Sequence, residues 1–335
     1  MPGSIHSVFS DPFCFQSTIR AADVDFSIRA AGTYRAELTR VDFSQLWMQR
    51  GSESLARVAH AANSPNRAPI FFLTDADQRG MHHSGMELST DDIAVYARSA
   101  THHHRTSGPV RWGAMSLAPD DLATISRAVA GRELAVPTTT RRVRPKPADL
   151  SRLRSLHEAA GNMAQATPDV LANDEVARAI ENALLHAMIT CLIDGDQIEM
   201  TSGCRGHLAI VSRLEEFLVG NPDRPFYLAE VCAATGATER TLRVSCNEHL
   251  GMGPVRYLWL RRMHMVRRAL LNADPETASV TETAMSYGFW ELGRFSVAYR
   301  RLFGEMPSAS LRRAAGPSPK KAGRNPLSLP DSEIA

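Results

Sequence analysis

Hydrophobic spacing changes character near residue 116. From residue 33 to 116, short apolar runs at 68–73, 93–96 and 112–115 are separated by turn-rich pieces such as Asn63-Ser64-Pro65-Asn66 and Ser107-Gly108-Pro109. Short strands at that spacing predict a small β-sandwich or barrel. Beyond it the period is helical. Pro119-Asp120-Asp121 opens a helix to about 129, with acidic side chains where the helix dipole favours them. Residues 149–164 form a second. In the third, 173–193, Val176, Ile180, Leu184, Met188 and Leu192 recur every four residues. So wide an apolar face predicts packing on the β region and a homodimer interface.

Residues 1–32 show no sustained period and are read as a lead-in. The basic, proline-broken stretch 141–147 is read as a solvated connector, and polar residues 194–206 as the domain boundary. This gives a β-rich domain over 33–204, a helical domain over 205–313 and a disordered tail over 314–335.

The helical domain carries a duplication. Residues 228–236 and 280–288 each read as a short helix ending at a glycine, followed by a longer helix and then Gly-x-x-Pro. Leu242 and Phe295, Cys246 and Tyr299, Gly251 and Gly304, and Pro254 and Pro307 all share one offset of 53 residues. Four equal offsets mark an internal repeat. At 100° per residue, Leu242, Cys246, His249 and Leu250 face inward, leaving Arg240, Arg243, Val244 and Asn247 outside. In the second copy Phe295, Tyr299 and Leu302 face inward, leaving Gly293, Arg294, Val297, Arg300 and Arg301 outside. Arginine and asparagine match guanine and adenine edges. The intervening helix, 254–271, spans roughly 27 Å, comparable to the roughly 34 Å between successive major-groove openings. Arg262 falls on its apolar arc and is expected to be ion-paired.

Net charge is +2, but it is unevenly divided. Residues 205–313 hold 15 Arg, no Lys and 11 acidic residues, whereas 1–204 hold 20 basic and 23 acidic. Positive charge therefore gathers on the repeat, as on a phosphate-binding module. Five cysteines form no C-x-x-C pair and are read as reduced thiols, Cys232 and Cys246 as small core hydrophobes. The apolar tract 184–193 is too short to span a bilayer, and no signal peptide opens the chain. A cytoplasmic location is expected.

The repeat resembles the DNA-binding domain of the AraC/XylS family of transcriptional regulators. The matching residues are Gly251-x-x-Pro254-x-x-Tyr257-Leu258, Arg262-Met263, Val280-x-x-x-Ala284-x-x-Tyr287-Gly288-Phe289, Phe295-Ser296 and Phe303-Gly304-x-x-Pro307. The resemblance implies seven helices, two helix-turn-helix motifs joined by a linker helix, and an N-terminal domain for effector binding or dimerisation. It also implies double-stranded DNA as partner, RNA polymerase as a second partner of an activator, and base reading at Arg240, Arg243, Val244, Gly293, Arg294 and Val297. Val244 and Val297 stand where the family often has Arg, and Cys246 where an aromatic is common. The fold expected is thus α+β, cupin-like at the N-terminus and all-α at the C-terminus.

A cupin-type metalloenzyme carrying an accessory DNA-binding module is the competing reading, because His82, His83, Glu87, His102, His103 and His104 are suitable metal ligands. Alternation on a strand puts at most two of the triple histidine on one side, and His-x-His followed by a spaced Glu is absent. Loop or strand-end histidines without a metal or other cofactor are expected. Neither a nucleophile elbow, a phosphate-binding glycine loop nor an HExxH motif is present, so no catalysis is expected.

Overall fold

The structure, a computed structural model, describes residues 3–198, 202–221 and 226–313. The expected tail, 314–335, lies outside the described residues. The chain opens with β1 (Gly3–Phe9), α1 (Pro12–Gln16) and β2 (Ala22–Ile28), then β3 (Ala36–Asp42), β4 (Trp47–Glu53), β5 (Arg57–Asn63) and β6 (Ala68–Leu73). Strands β7 (Met81–His83), β8 (Met86–Leu88), β9 (Ile93–Val95), β10 (Thr101–Arg105) and β11 (Val110–Leu117) follow. Helix α2 (Pro119–Ala130), strand β12 (Arg141–Arg144), helices α3 (Pro147–Ala166), α4 (Pro168–Leu171) and α5 (Asp174–Asp194), and strand β13 (Asp196–Ile198) complete this half.

An eight-stranded sheet, in the order β1-β3-β4-β11-β6-β9-β12-β13, faces a five-stranded sheet, β2-β5-β10-β7-β8. Strand alternation sorts the side chains between two cores. Phe71, Leu73, Ala94, Tyr96 and Trp112 point between the sheets to meet Phe26, Ile28 and Ala59. Ile70, Phe72, Ile93 and Met115 point outward, where Leu153, Ala160, Leu184 and Met188 of α3 and α5 cover them. Helix α5, 21 residues long, has the length and apolar composition that a membrane-crossing helix and a buried core helix share. Half of its apolar window is buried within the protein.

Two expectations are corrected. Residues 3–28 are built into the fold: β1 pairs β3 along its whole length, β2 pairs β5, and Phe15 of α1 is fully buried. Ile5 and Val8 of β1 remain about half exposed, so that strand lacks the alternation that would reveal it. The basic stretch 141–147 is likewise no solvated connector. Residues 141–144 form β12 against β9, and Arg144 Nε lies 3.0 Å and Arg142 Nη1 3.4 Å from the buried Asp92 carboxylate. Asp92 also accepts from Ser89 N and Oγ, which fixes the turn before β9.

The histidine expectation also changes. His102, His103 and His104 lie inside β10 instead of at a loop or strand end, His83 ends β7, and all four are buried.

The second half is helical: α6 (Ser202–Gly220), α7 (Leu228–Thr235), α8 (Glu239–Leu250), α9 (Pro254–Asn272), α10 (Val280–Ser286), α11 (Leu292–Phe303) and α12 (Pro307–Arg312). Its two cores correspond to the two copies of the repeat. One gathers Val211, Leu214, Val231, Leu242, Cys246 and Leu250; the other gathers Met263, Val266, Ala284, Phe295, Tyr299 and Leu302. The chain is thus α+β, with a β-rich N-terminal half and a helical C-terminal half. The halves meet along α9. His264 Nε2 lies 3.1 Å from the Ile28 carbonyl, Arg268 3.1 Å from Asp25, and Arg267 pairs with Asp11.

Candidate nucleic-acid interface

Local chemistry sets each helix pair. Thr238 caps α8 by accepting from Thr241 N at 3.2 Å, an interaction of order 1 kcal/mol. Gly236 turns α7 into the capping residue at φ +63°, and Gly251 ends α8 at φ +68°. In the second copy Gly288 sits at φ +78° and Gly304 at φ +73°. Each conformation is left-handed and costs glycine little. Pro254 and Pro307 then start α9 and α12, where a missing N–H does no harm.

This scaffold fixes which faces show. On α8, Leu242, Ser245, Cys246, His249 and Leu250 are buried, while Arg240, Arg243, Val244 and Asn247 are exposed. On α11, Phe295, Tyr299 and Leu302 are buried, while Gly293, Arg294, Val297, Arg300 and Arg301 are exposed. Every candidate residue therefore lies on an open helix face. Val297 is 72% exposed and Trp290, just before α11, 71%. Arg243 pairs with Glu239 at 2.5 Å and Arg294 with Glu291 at 2.8 Å. Such exposed pairs contribute about 1 kcal/mol or less and give way readily to a phosphate or base.

Arg262 has no ion pair among the described residues. It lies over the Phe289 ring at 5.3 Å, with its buried Nε unpartnered. Arg261, one residue earlier, carries the ion pairs, to Glu215 at 2.9 Å and Asp25 at 3.6 Å.

The sequence reading missed two arginines. Arg29, Arg256, Arg294 and Arg301 line one groove of about 620 Å³ between α9, α11 and the start of the loop after β2. Arg256 stacks on Trp259 at 4.1 Å and also lines the neighbouring groove that reaches Arg243. Arg29 donates to the Gly251 carbonyl at 3.3 Å; burial and the nearby Arg256 charge lower its pKa. Guanidinium groups brought together without a lining carboxylate suit a polyanion. Arg256 was open to discovery, since it falls on the outer arc of the linker helix. Arg29 lies 222 residues from Gly251, beyond the reach of local spacing.

A helix-turn-helix domain model matches residues 231–313, which defines the class of this half of the chain. More narrowly, the C-terminal domain is similar to regulators of the AraC/XylS type. A probable thc operon regulatory protein of Rhodococcus erythropolis is 33% identical over 144 residues, covering 41% of this chain and 43% of that protein. XylDLEGF operon transcriptional activator 2 of Pseudomonas putida is 35% identical over 99 residues, covering 30% of this chain and 63% of that protein. The chain thus spans less than two thirds of either relative. Among solved structures, the AraC-like transcriptional activator CuxR is 12% identical over 80% of this chain and 96% of its own, with a TM-score of 0.35.

Proposed function

We propose that the protein is a sequence-specific, DNA-binding transcriptional activator whose helices α8 and α11 read successive major grooves. The observation that carries this reading is the exposure of all nine candidate residues on two helices of a matched helix-turn-helix domain. Helix α9, 19 residues long, would separate the motifs by about 28 Å. In this reading Arg240, Arg243, Asn247 and Arg294 address base edges, and Val244 and Val297 contact thymine methyls. Gly293 allows close backbone approach, and Arg300, Arg301 and Arg256 meet phosphates. The names of the Pseudomonas relatives favour activation, which brings RNA polymerase in as a partner.

The β-rich half is assigned dimerisation and effector sensing, on a cupin-like sandwich acting in the cytoplasm. Half-buried Val176 and Ile180 of α5 support the first. An internal cavity of about 70 Å³, room for a few heavy atoms, supports the second. Selection of genomic fragments with purified full-length protein tests the proposal. A motif with two half-elements about one helical turn apart is expected; failure to enrich any motif overturns it.

A further inference from the structure

Strand pairing brings three histidines together on one inner face. His104 of β10 lies opposite His83 of β7 in register, and His102, two residues along, shares the face of His104. All three are buried, at 0–6% exposure, and each offers a ring nitrogen within 4.8 Å of the others. Their rings pack at centroid distances of 4.6 to 5.1 Å. Hydrogen bonding leaves the group incomplete. The Tyr96 hydroxyl reaches His83 Nε2 at 2.9 Å and His104 Nε2 at 3.4 Å, but His83 Nδ1 and His102 Nδ1 have no partner.

A buried, all-nitrogen donor set suits a first-row transition ion and not calcium or magnesium, which take oxygen ligands. In a tetrahedral site two nitrogens at about 2.1 Å from one ion stand about 3.4 Å apart, so a pair now as far apart as 4.8 Å needs to close by roughly 1.4 Å. The neighbouring cavity, lined by His102, His104, Tyr96 and Arg57, leaves an open side for a further ligand, and Arg57 Nη1 is unpartnered there. We propose that His83, His102 and His104 bind one divalent transition-metal ion of the zinc class, with its remaining coordination position opening on this cavity.

The proposal is independent of DNA binding. Untagged, chelator-treated full-length protein titrated with Co²⁺ should develop visible absorption bands that saturate at one ion per chain and are displaced by Zn²⁺. His83→Gln, His102→Gln and His104→Gln should each weaken Zn²⁺ binding by more than about 100-fold. His82→Gln and His103→Gln, on the same strands but facing elsewhere, should leave it unchanged. Zinc X-ray absorption on the wild-type chain counts the ligands without any variant, and three imidazoles are expected. Absence of saturable Co²⁺ binding, a shell of thiolates or water alone, or equal loss in His82→Gln overturns the site.

Discussion

His103 Nε2 lies 3.8 Å from Glu215 Oε1, with both side chains fully buried, so β10 of the sandwich meets α6 of the helical half through a titratable pair. His103 points opposite to its neighbours His102 and His104, placing the inner cavity and the domain junction on the two faces of one strand. Glu215 also accepts from Tyr257 Oη at 2.5 Å and Arg261 Nη1 at 2.9 Å. Burial raises its pKa, but the charge of Arg261, with His103 close by, outweighs that and holds it down to about 2. Glu215→Gln would leave Arg261 largely buried beside Asp25 alone. We expect a loss of about 3 kcal/mol in urea unfolding at neutral pH; a loss below about 1 kcal/mol would mean that the junction does not depend on this carboxylate.

The two exposed arginine positions should behave differently on DNA. Arg294 stands on the open face of α11, 85% exposed, and pairs with Glu291. Arg294→Ala is expected to cost roughly 1–3 kcal/mol on the selected site and much less on random DNA. Arg256, stacked on Trp259 between the two grooves, has the placement of a phosphate contact. Arg256→Ala should weaken both DNAs alike and make the salt dependence shallower by about one unit of slope. Filter binding at several salt concentrations separates these outcomes, and a sequence-selective loss in Arg256→Ala would reassign that residue to base reading.

The helical half was legible because its constraints are local. The offset shared by Leu242 and Phe295 became two buried helix faces, and that shared by Gly251 and Gly304 became two left-handed helix ends. The strand at 68–73 was legible for a similar reason, since Ile70, Phe71, Phe72 and Leu73 are all buried between or behind the sheets. The histidine cluster was not. His102 and His104 are related by alternation, but His83 joins them only through the pairing of β7 with β10, which spacing does not specify. Strand β1 was hidden by its exposed faces, and Arg29 by its distance along the chain from the helix it touches.

Trp112 lies across Gly51, its register partner on β4, so closely that a Cβ at position 51 would stand 2.3 Å from the indole ring. The indole cannot simply retreat. It stacks on Phe71 at 5.7 Å and donates from Nε1 to Glu53 at 3.0 Å, and Glu53 is held by Arg57. Gly51→Ala must therefore move the ring or the strand, an overpacking cost of about 1–3 kcal/mol or more. Thermal unfolding should show the loss, with a shift in tryptophan emission as the ring leaves its site. An unchanged melting temperature would show that the indole relocates freely.

Acid should weaken the helical layer through His157. This side chain of α3 is fully buried against Phe72, with Nε2 donating to the Gln49 carbonyl at 3.1 Å and Nδ1 unpartnered. Burial pushes its pKa down to about 3; the bond to Gln49 opposes this, and the Arg50 charge adds to it. Above pH 6.5 the imidazole is neutral in both folded and unfolded chains, and its contribution is complete. As pH falls below 6.5 the unfolded chain takes up a proton that the native state refuses, so stability declines by up to about 1.4 kcal/mol per pH unit from this group until pH approaches 3. Other buried groups, His264 among them with a pKa lowered to about 4, act in the same direction, so the informative quantity is a difference. His157→Leu should be less stable than wild type at pH 7, through a lost hydrogen bond and altered packing, yet lose less stability between pH 6.5 and 4. Parallel curves of unfolding free energy against pH for the two proteins would show that His157 is not the group that acid acts on.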